Sequence, residues 1–269
     1  MKIRIITAVV GIILALGLVA LGGWFLTAAI FLVSLASLLE YENMMTHAGI
    51  SIYRKLASAA LALVIGITGF YSIPMFTAML ILAFMILLSS VLFIKKEDMH
   101  RLIYTCFSVF YFGIGFGSLS LLRGGEEFLN YGSISVNPGI FLILFVLIGT
   151  WASDSFAFFA GRRWGKYKMA PHISPNKTVE GLLGGMAGTV LLCLLLSAVT
   201  GFSLWKGFFM AILVAVAAPI GDLFESYIKR ACRIKDSGHI LPGHGGMMDR
   251  FDSLLFAAPV VVMYLIIFG

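Results

Sequence analysis

The chain has 269 residues, 60% of them hydrophobic and only 12% charged, with a mean hydropathy of +1.01 and a formal net charge of +6. Soluble domains carry about 25% charged residues, so an ordinary soluble globule is excluded. The positive balance calls for no nucleic acid partner, because basic residues collect on the cytoplasmic loops of membrane proteins and set their orientation.

The N-terminus places Lys2 and Arg4 before a long apolar run. It superficially resembles a secretory signal peptide, but it continues into more apolar sequence with no convincing cleavage site, so a retained first helix is expected. Neither Ile5 to Leu39 nor Leu56 to Ile94 contains Asp, Glu, Lys, Arg or His. A span needs about 20 apolar residues, so each run holds two helices, with breaks at Gly22-Gly23 and Ser72-Ile73-Pro74. The full set of predicted spans is roughly 5–21, 24–40, 56–72, 75–94, 102–122, 138–157, 180–200, 206–229 and 253–268. The expected fold class is an all-α polytopic membrane protein with about nine transmembrane helices. The alternating pattern of a membrane barrel is absent.

With the N-terminus cytoplasmic, every one of the 19 Lys and Arg residues except Arg123 and Lys206 falls on an inner segment. That asymmetry sets the orientation and puts the C-terminus outside. A single integral membrane domain over 1–269 is expected, with 1–125 mainly scaffold helices and 151–269 carrying catalytic helices and cytoplasmic loops. Glu40 and Glu42 flank a span end and read as solvated helix termini. The polar outer loop 126–137 has no recognisable chemistry. Cys106, Cys193 and Cys232 are odd in number and dispersed, which gives neither a disulfide framework nor a cysteine metal site.

From Trp151 onward the character changes, and charge appears within or beside apolar spans. Such charge is costly and marks a functional site by default. Asp154 interrupts one apolar stretch, and the inner segment after it holds Gly161-Arg162-Arg163-Trp164-Gly165-Lys166 and Ser174-Pro175-Asn176-Lys177-Thr178. The latter reads as a helix start. A hydroxyl, an amide and a Lys at a helix N-terminus also suit a nucleotide phosphate. No P-loop or Rossmann signature is present.

Asp222 lies in the next span, preceded by Pro219 and Gly221, which weaken helical hydrogen bonding and open space for a ligand. Asp222, Glu225, Ser226 and Lys229 share one helical face. The stripe suits a hard cation and an anionic substrate; the alternative is an internal Glu225–Lys229 pair. Lys229, Arg230, Arg233 and Lys235 follow, either as topogenic charge or as phosphate ligands. Then come His244-Gly245-Gly246 and Asp249-Arg250-Phe251-Asp252. A carboxylate here would cap the last helix. Two of them, after a glycine pair that admits a close backbone approach, suggest a ligand. Mg²⁺ is typically held by one or two carboxylates together with phosphate oxygens and water.

These residues resemble the phosphatidate cytidylyltransferases, or CDP-diacylglycerol synthases. The family pattern appears as Ser226, Lys229-Arg230, Lys235-Asp236, His244-Gly245-Gly246, Asp249-Arg250 and Asp252, without departure. Asp154, the GRRWGK run and the SPNKTVEG run are also similar. The resemblance covers the C-terminal part of the chain, while residues 1–125 agree only in being apolar spans. It implies cytidylyl transfer from CTP to phosphatidic acid, giving CDP-diacylglycerol and pyrophosphate, with Mg²⁺ and room for a second, monovalent cation. It also implies a homodimer in the plasma or inner membrane with its site facing the cytoplasm. On this resemblance Asp222 and Asp249 hold metal, with Ser226 as a lesser ligand, and Lys229 and Arg250 join the two aspartates in catalysis. Arg230, Lys235, Asp236, His244 and Asp252 contact substrate. So do Asp154, Arg162, Lys166, Ser174, Asn176 and Lys177, the last three on the nucleotide. Two rivals are a transporter for an anionic solute and a CDP-alcohol phosphotransferase. The DGxxAR aspartates of the second are not found.

Overall fold

The structure, a computed structural model, describes residues 2–70, 72–93, 98–125, 128–129, 134–238, 240 and 245–268. Among these it contains nine α-helices: α1 Lys2–Leu21, α2 Gly23–His47, α3 Arg54–Ile67, α4 Ile73–Ser90, α5 Met99–Leu122, α6 Pro138–Trp164, α7 Val179–Thr200, α8 Leu204–Ala231 and α9 Met248–Phe268. Each coincides with a predicted span to within a few residues at most ends. Seven of them (α2 and α4 to α9) are long and apolar enough to cross a membrane. The described apolar part of α1 is Val9–Leu21. Helix α3 has 14 residues and so reaches only about 21 Å, against a hydrocarbon core of about 30 Å.

Two expectations are corrected. Helix α6 runs to Trp164 rather than stopping near residue 157, so Arg162 and Arg163 are helical, not part of a loop. The inner loop after it is more ordered than expected, while the helical, polytopic class stands. This loop forms an antiparallel hairpin, β1 (Lys168–Ala170) and β2 (Ser174–Thr178), with Lys168 opposite Thr178 and Ala170 opposite Ser174.

The chain divides into two compact units, residues 1–123 with 229–251 and residues 124–228 with 252–269. The first unit buries Leu38, Tyr41, Met44, Leu61, Ile65, Phe112, Phe116 and Leu121 in its core. Buried hydroxyls pair across its helices, as where Thr68 Oγ1 donates to Ser120 Oγ at 2.8 Å. Helix α5 starts on Asp98, whose side chain accepts from Arg101 N at 2.9 Å. Arg123 Nε donates to Val19 O at 2.8 Å near the end of α1, where such a cation relieves unpaired carbonyls. Gly22, at φ +63, leaves room for that guanidinium.

The second unit is organised by the packing of α6 on α7. Helix α6 is capped by Asn137, whose side chain accepts from Ile140 N at 3.1 Å, and Pro138 opens it. Gly181, Gly184, Gly185 and Gly188 bring the α7 backbone against Ser153, Phe156, Ala157 and Ala160 of α6. Added side chains at these positions would clash. Small residues of this kind let membrane helices approach closely. Thr189 Oγ1 donates across the same contact to Gly149 O at 3.0 Å.

Candidate active site

The close α6–α7 packing leaves a cavity of about 590 Å³ at the end nearest the hairpin, a size typical of a small-molecule site. Helix α6 supplies Ser153, Asp154, Phe158, Gly161 and Arg162, and the hairpin supplies Met169, Ser174, Asn176, Lys177 and Thr178. The start of α7 adds Gly181 and Leu182, and α8 adds Pro219 and Asp222. Six of the sequence-predicted site residues therefore line one space: Asp154, Arg162, Ser174, Asn176, Lys177 and Asp222.

Local chemistry explains the hairpin's position. Thr178 caps α7, its side chain accepting from Gly181 N at 3.1 Å. Glu180, in the first turn of α7, accepts from Lys166 N at 3.0 Å and from Tyr167 N at 3.2 Å. Val179 N donates to Tyr167 O at 2.9 Å. The segment leading into the first strand is thus tied to the helix that follows the second, and hairpin side chains line the cavity. Lys166 serves here through its backbone, with its side chain exposed.

Across the cavity, Lys177 Nζ lies 2.6 Å from Asp222 Oδ2. The ammonium is buried, and this ion pair lacks hydrogen-bond alignment. An ammonium carries three N–H donors, so beside this ion pair others remain for a phosphate oxygen. Helix α8 continues through Pro219 without breaking. Gly221 has a tighter reason than flexibility: a Cβ there would meet the backbone carbonyl of Asp252 in α9. That approach places the buried Asp252 within electrostatic reach of Asp222 and Asp154, and its side chain hydrogen-bonds Glu225. Glu225 is fully buried.

The first unit holds a separate arrangement around Asp249. Asp249 Oδ1 is 2.6 Å from Lys229 Nζ, and Asp249 Oδ2 accepts from Gly246 N at 2.9 Å. Lys229 therefore pairs with Asp249. The cap and ligand alternatives for Asp249 are not exclusive, since it accepts a backbone N–H while holding a cation. The surprise is Glu40. It is 2% exposed, not a solvated terminus as its position suggests. Its Oε1 accepts from Met247 N and its Oε2 from Met248 N, both at 2.8 Å, and Ser237 Oγ donates to Oε2 at 3.3 Å. It thus satisfies amides at the start of α9 that have no partner within the helix. The glycine pair is also recast. Gly245 has φ +83, and a Cβ on Gly246 would press on Glu40 and Ser237. Gly246 makes room for a carboxylate of the protein itself.

Among the remaining predicted residues, Ser226 is buried in α8. Arg230, Lys235, Asp236 and Arg250 are exposed, and Arg230 Nη1 donates to Ile234 O at 2.9 Å. His244 lies outside the described residues.

The Cytidylyltransferase family model matches residues 2–268. The chain belongs to the cytidylyltransferase family. Proteins named phosphatidate cytidylyltransferase are similar to it along their whole length. The one from Staphylococcus haemolyticus is 31% identical over 271 residues, and one from Staphylococcus epidermidis is 32% identical over 271 residues. One from Staphylococcus aureus is 30% identical, and in all three the match covers 99% of both chains.

A cytidylyltransferase has to hold a nucleoside triphosphate and offset its charge. The cavity offers an ammonium, a guanidinium, hydroxyls and an amide together with two carboxylates. Among the described residues, no three of His, Cys, Asp and Glu form a ready metal cage. Mg²⁺ needs none when phosphates and water complete its shell. Asp222 and Asp249 each hold a lysine ammonium at 2.6 Å, so each carboxylate is set to accept positive charge. That donor chemistry fits a hard cation. Glu40 is the residue that sequence reasoning missed, because its partners lie some 200 positions away.

Proposed function

We propose that this cytidylyltransferase transfers the cytidylyl group of CTP to phosphatidic acid, giving CDP-diacylglycerol and pyrophosphate for phospholipid synthesis. The observation that carries the reading is the cavity shared by Asp154, Arg162, Ser174, Asn176, Lys177 and Asp222. A phosphate oxygen of phosphatidate attacks the α-phosphorus of CTP. The bond from that phosphorus to the bridging oxygen of the β-phosphate breaks, and pyrophosphate leaves with the bonding electrons. A phosphate monoester is already nucleophilic at neutral pH, so positioning and charge neutralisation carry the work.

Lys177, Ser174 and Asn176 bind the nucleotide, and Arg162 and Lys166 add further substrate contacts. Lys229, Arg230, Lys235 and Arg250 serve phosphate groups, and Asp236, His244 and Asp252 complete the substrate contacts. Mg²⁺, held through Asp222 and Asp249 with Ser226 in support, would supply positive charge to the phosphate oxygens, and a monovalent cation would add to it. Two anionic substrates repel each other, and these groups offset that repulsion.

The membrane arrangement we infer has nine spans, with α3 lengthened by the 3₁₀ turn Thr68–Phe70 that continues it, the N-terminus and the site on the cytoplasmic face, and the C-terminus outside. The lopsided Lys and Arg distribution supports it. Residues 151–269 carry the catalytic groups, with 1–125 in support, in a homodimer of the plasma or inner membrane. Purified protein incubated with CTP and phosphatidic acid should yield CDP-diacylglycerol and pyrophosphate in equal amounts by mass spectrometry. CTP consumption without a lipid product would overturn the reading.

A further inference from the structure

We infer that Glu40 is a positioning residue for Asp249, holding the first turn of α9 from a helix remote in sequence. The inference rests on the assignment of Asp249 to cation binding. Glu40 sits in α2, in the half of the chain whose sequence shows only apolar spans. Its carboxylate is buried, and each oxygen accepts one backbone N–H, from Met247 and from Met248, the two residues directly before Asp249. Ser237 Oγ donates to it as well. A buried carboxylate receiving N–H donors on both oxygens is both satisfied and fixed in direction.

The surrounding backbone is shaped to admit it. A Cβ on Gly238 or Gly246 would lie 2.6 Å from a Glu40 oxygen, so both positions need glycine for the carboxylate to fit. Gly246 in turn donates its N–H to Asp249 Oδ2. The contacts form one chain: Glu40 fixes Gly246 to Met248, and that segment fixes Asp249 against Lys229. Gln at position 40 keeps the shape but turns one acceptor into a donor, which then faces a backbone N–H. The segment loses an anchor while the helices of the unit keep their apolar packing.

The test compares full-length purified Glu40→Gln with wild type, with Glu42→Gln as control. Glu42 is the neighbouring carboxylate, half-buried and paired with Arg54. Turnover with CTP and phosphatidate is read beside amide hydrogen exchange across residues 246–249 and the melting temperature. Glu40→Gln should lower kcat at least tenfold with the CTP KM within about twofold, and should speed exchange in that segment at least tenfold. Gly246→Ala, which forces a methyl group against Glu40, should do the same. Wild-type kcat and exchange in Glu40→Gln would overturn the inference. So would a fall in turnover that only tracks a smaller folded fraction. Asp249→Asn, run alongside, separates the claims: if it turns over normally the cation assignment fails, while exchange still reads whether Glu40 holds the segment.

Discussion

Replacing Lys177 with Ala removes the one buried ammonium that lines the α6–α7 cavity. Its Nζ sits 2.6 Å from Asp222 Oδ2 without hydrogen-bond alignment, so its donors are available to a nucleotide phosphate. A hydrogen bond to a charged group is worth about 1.5–3 kcal/mol. At 1.4 kcal/mol per tenfold change, losing one such bond lowers kcat/KM for CTP by roughly 10- to 150-fold. The loss also leaves the Asp222 charge facing the triphosphate, which pushes the effect toward the upper end. Lys177→Arg keeps the charge and should lose less. The assay measures initial rates in mixed micelles, varying CTP at fixed phosphatidate and then the reverse. The account expects the CTP term to change while the phosphatidate KM stays within about threefold. A wild-type kcat/KM for CTP, or an effect confined to phosphatidate, would refute the placement of Lys177 at the nucleotide.

Asp222→Asn and Asp249→Asn should each abolish CTP-dependent lipid product in protein that still folds, as checked by its melting profile; near-wild-type turnover in either would remove that residue from the cation role. Gly221→Ala should cost about 1–3 kcal/mol of stability, the usual range for overpacking, because its methyl group meets the Asp252 carbonyl. Denaturant unfolding in detergent measures this, and an unchanged midpoint would contradict the close α8–α9 approach.

Much of this arrangement was legible in the sequence for a physical reason. Helices in lipid must be long, apolar and internally hydrogen-bonded, so spans announce themselves and charges within them stand out. That logic located the helices and singled out Asp154 and Asp222, which share the cavity with Ser174, Asn176 and Lys177. It failed where a helix outlives its apolar run: α6 continues through Arg162 and Arg163 because nothing there stops it before Gly165. It also missed the hairpin, whose first strand has three residues, too few to show an alternating pattern. Glu40 was misjudged because a carboxylate near a helix end looks the same whether it meets water or two backbone amides. Spacing along one helix cannot reveal partners at Met247 and Met248. Gly246 carried a hint in its lack of a side chain, but the group it accommodates is visible only in three dimensions.

The central claim is attack on the α-phosphorus of CTP at a cation-assisted site containing Asp222. The most direct measurement follows separately labelled α- and γ-phosphorus of CTP through one reaction with phosphatidic acid. The account predicts α-label in the lipid extract and γ-label in pyrophosphate, with both products lost on EDTA addition, restored by Mg²⁺ and absent in Asp222→Asn. The γ-label in lipid, or unchanged transfer in EDTA, would contradict it.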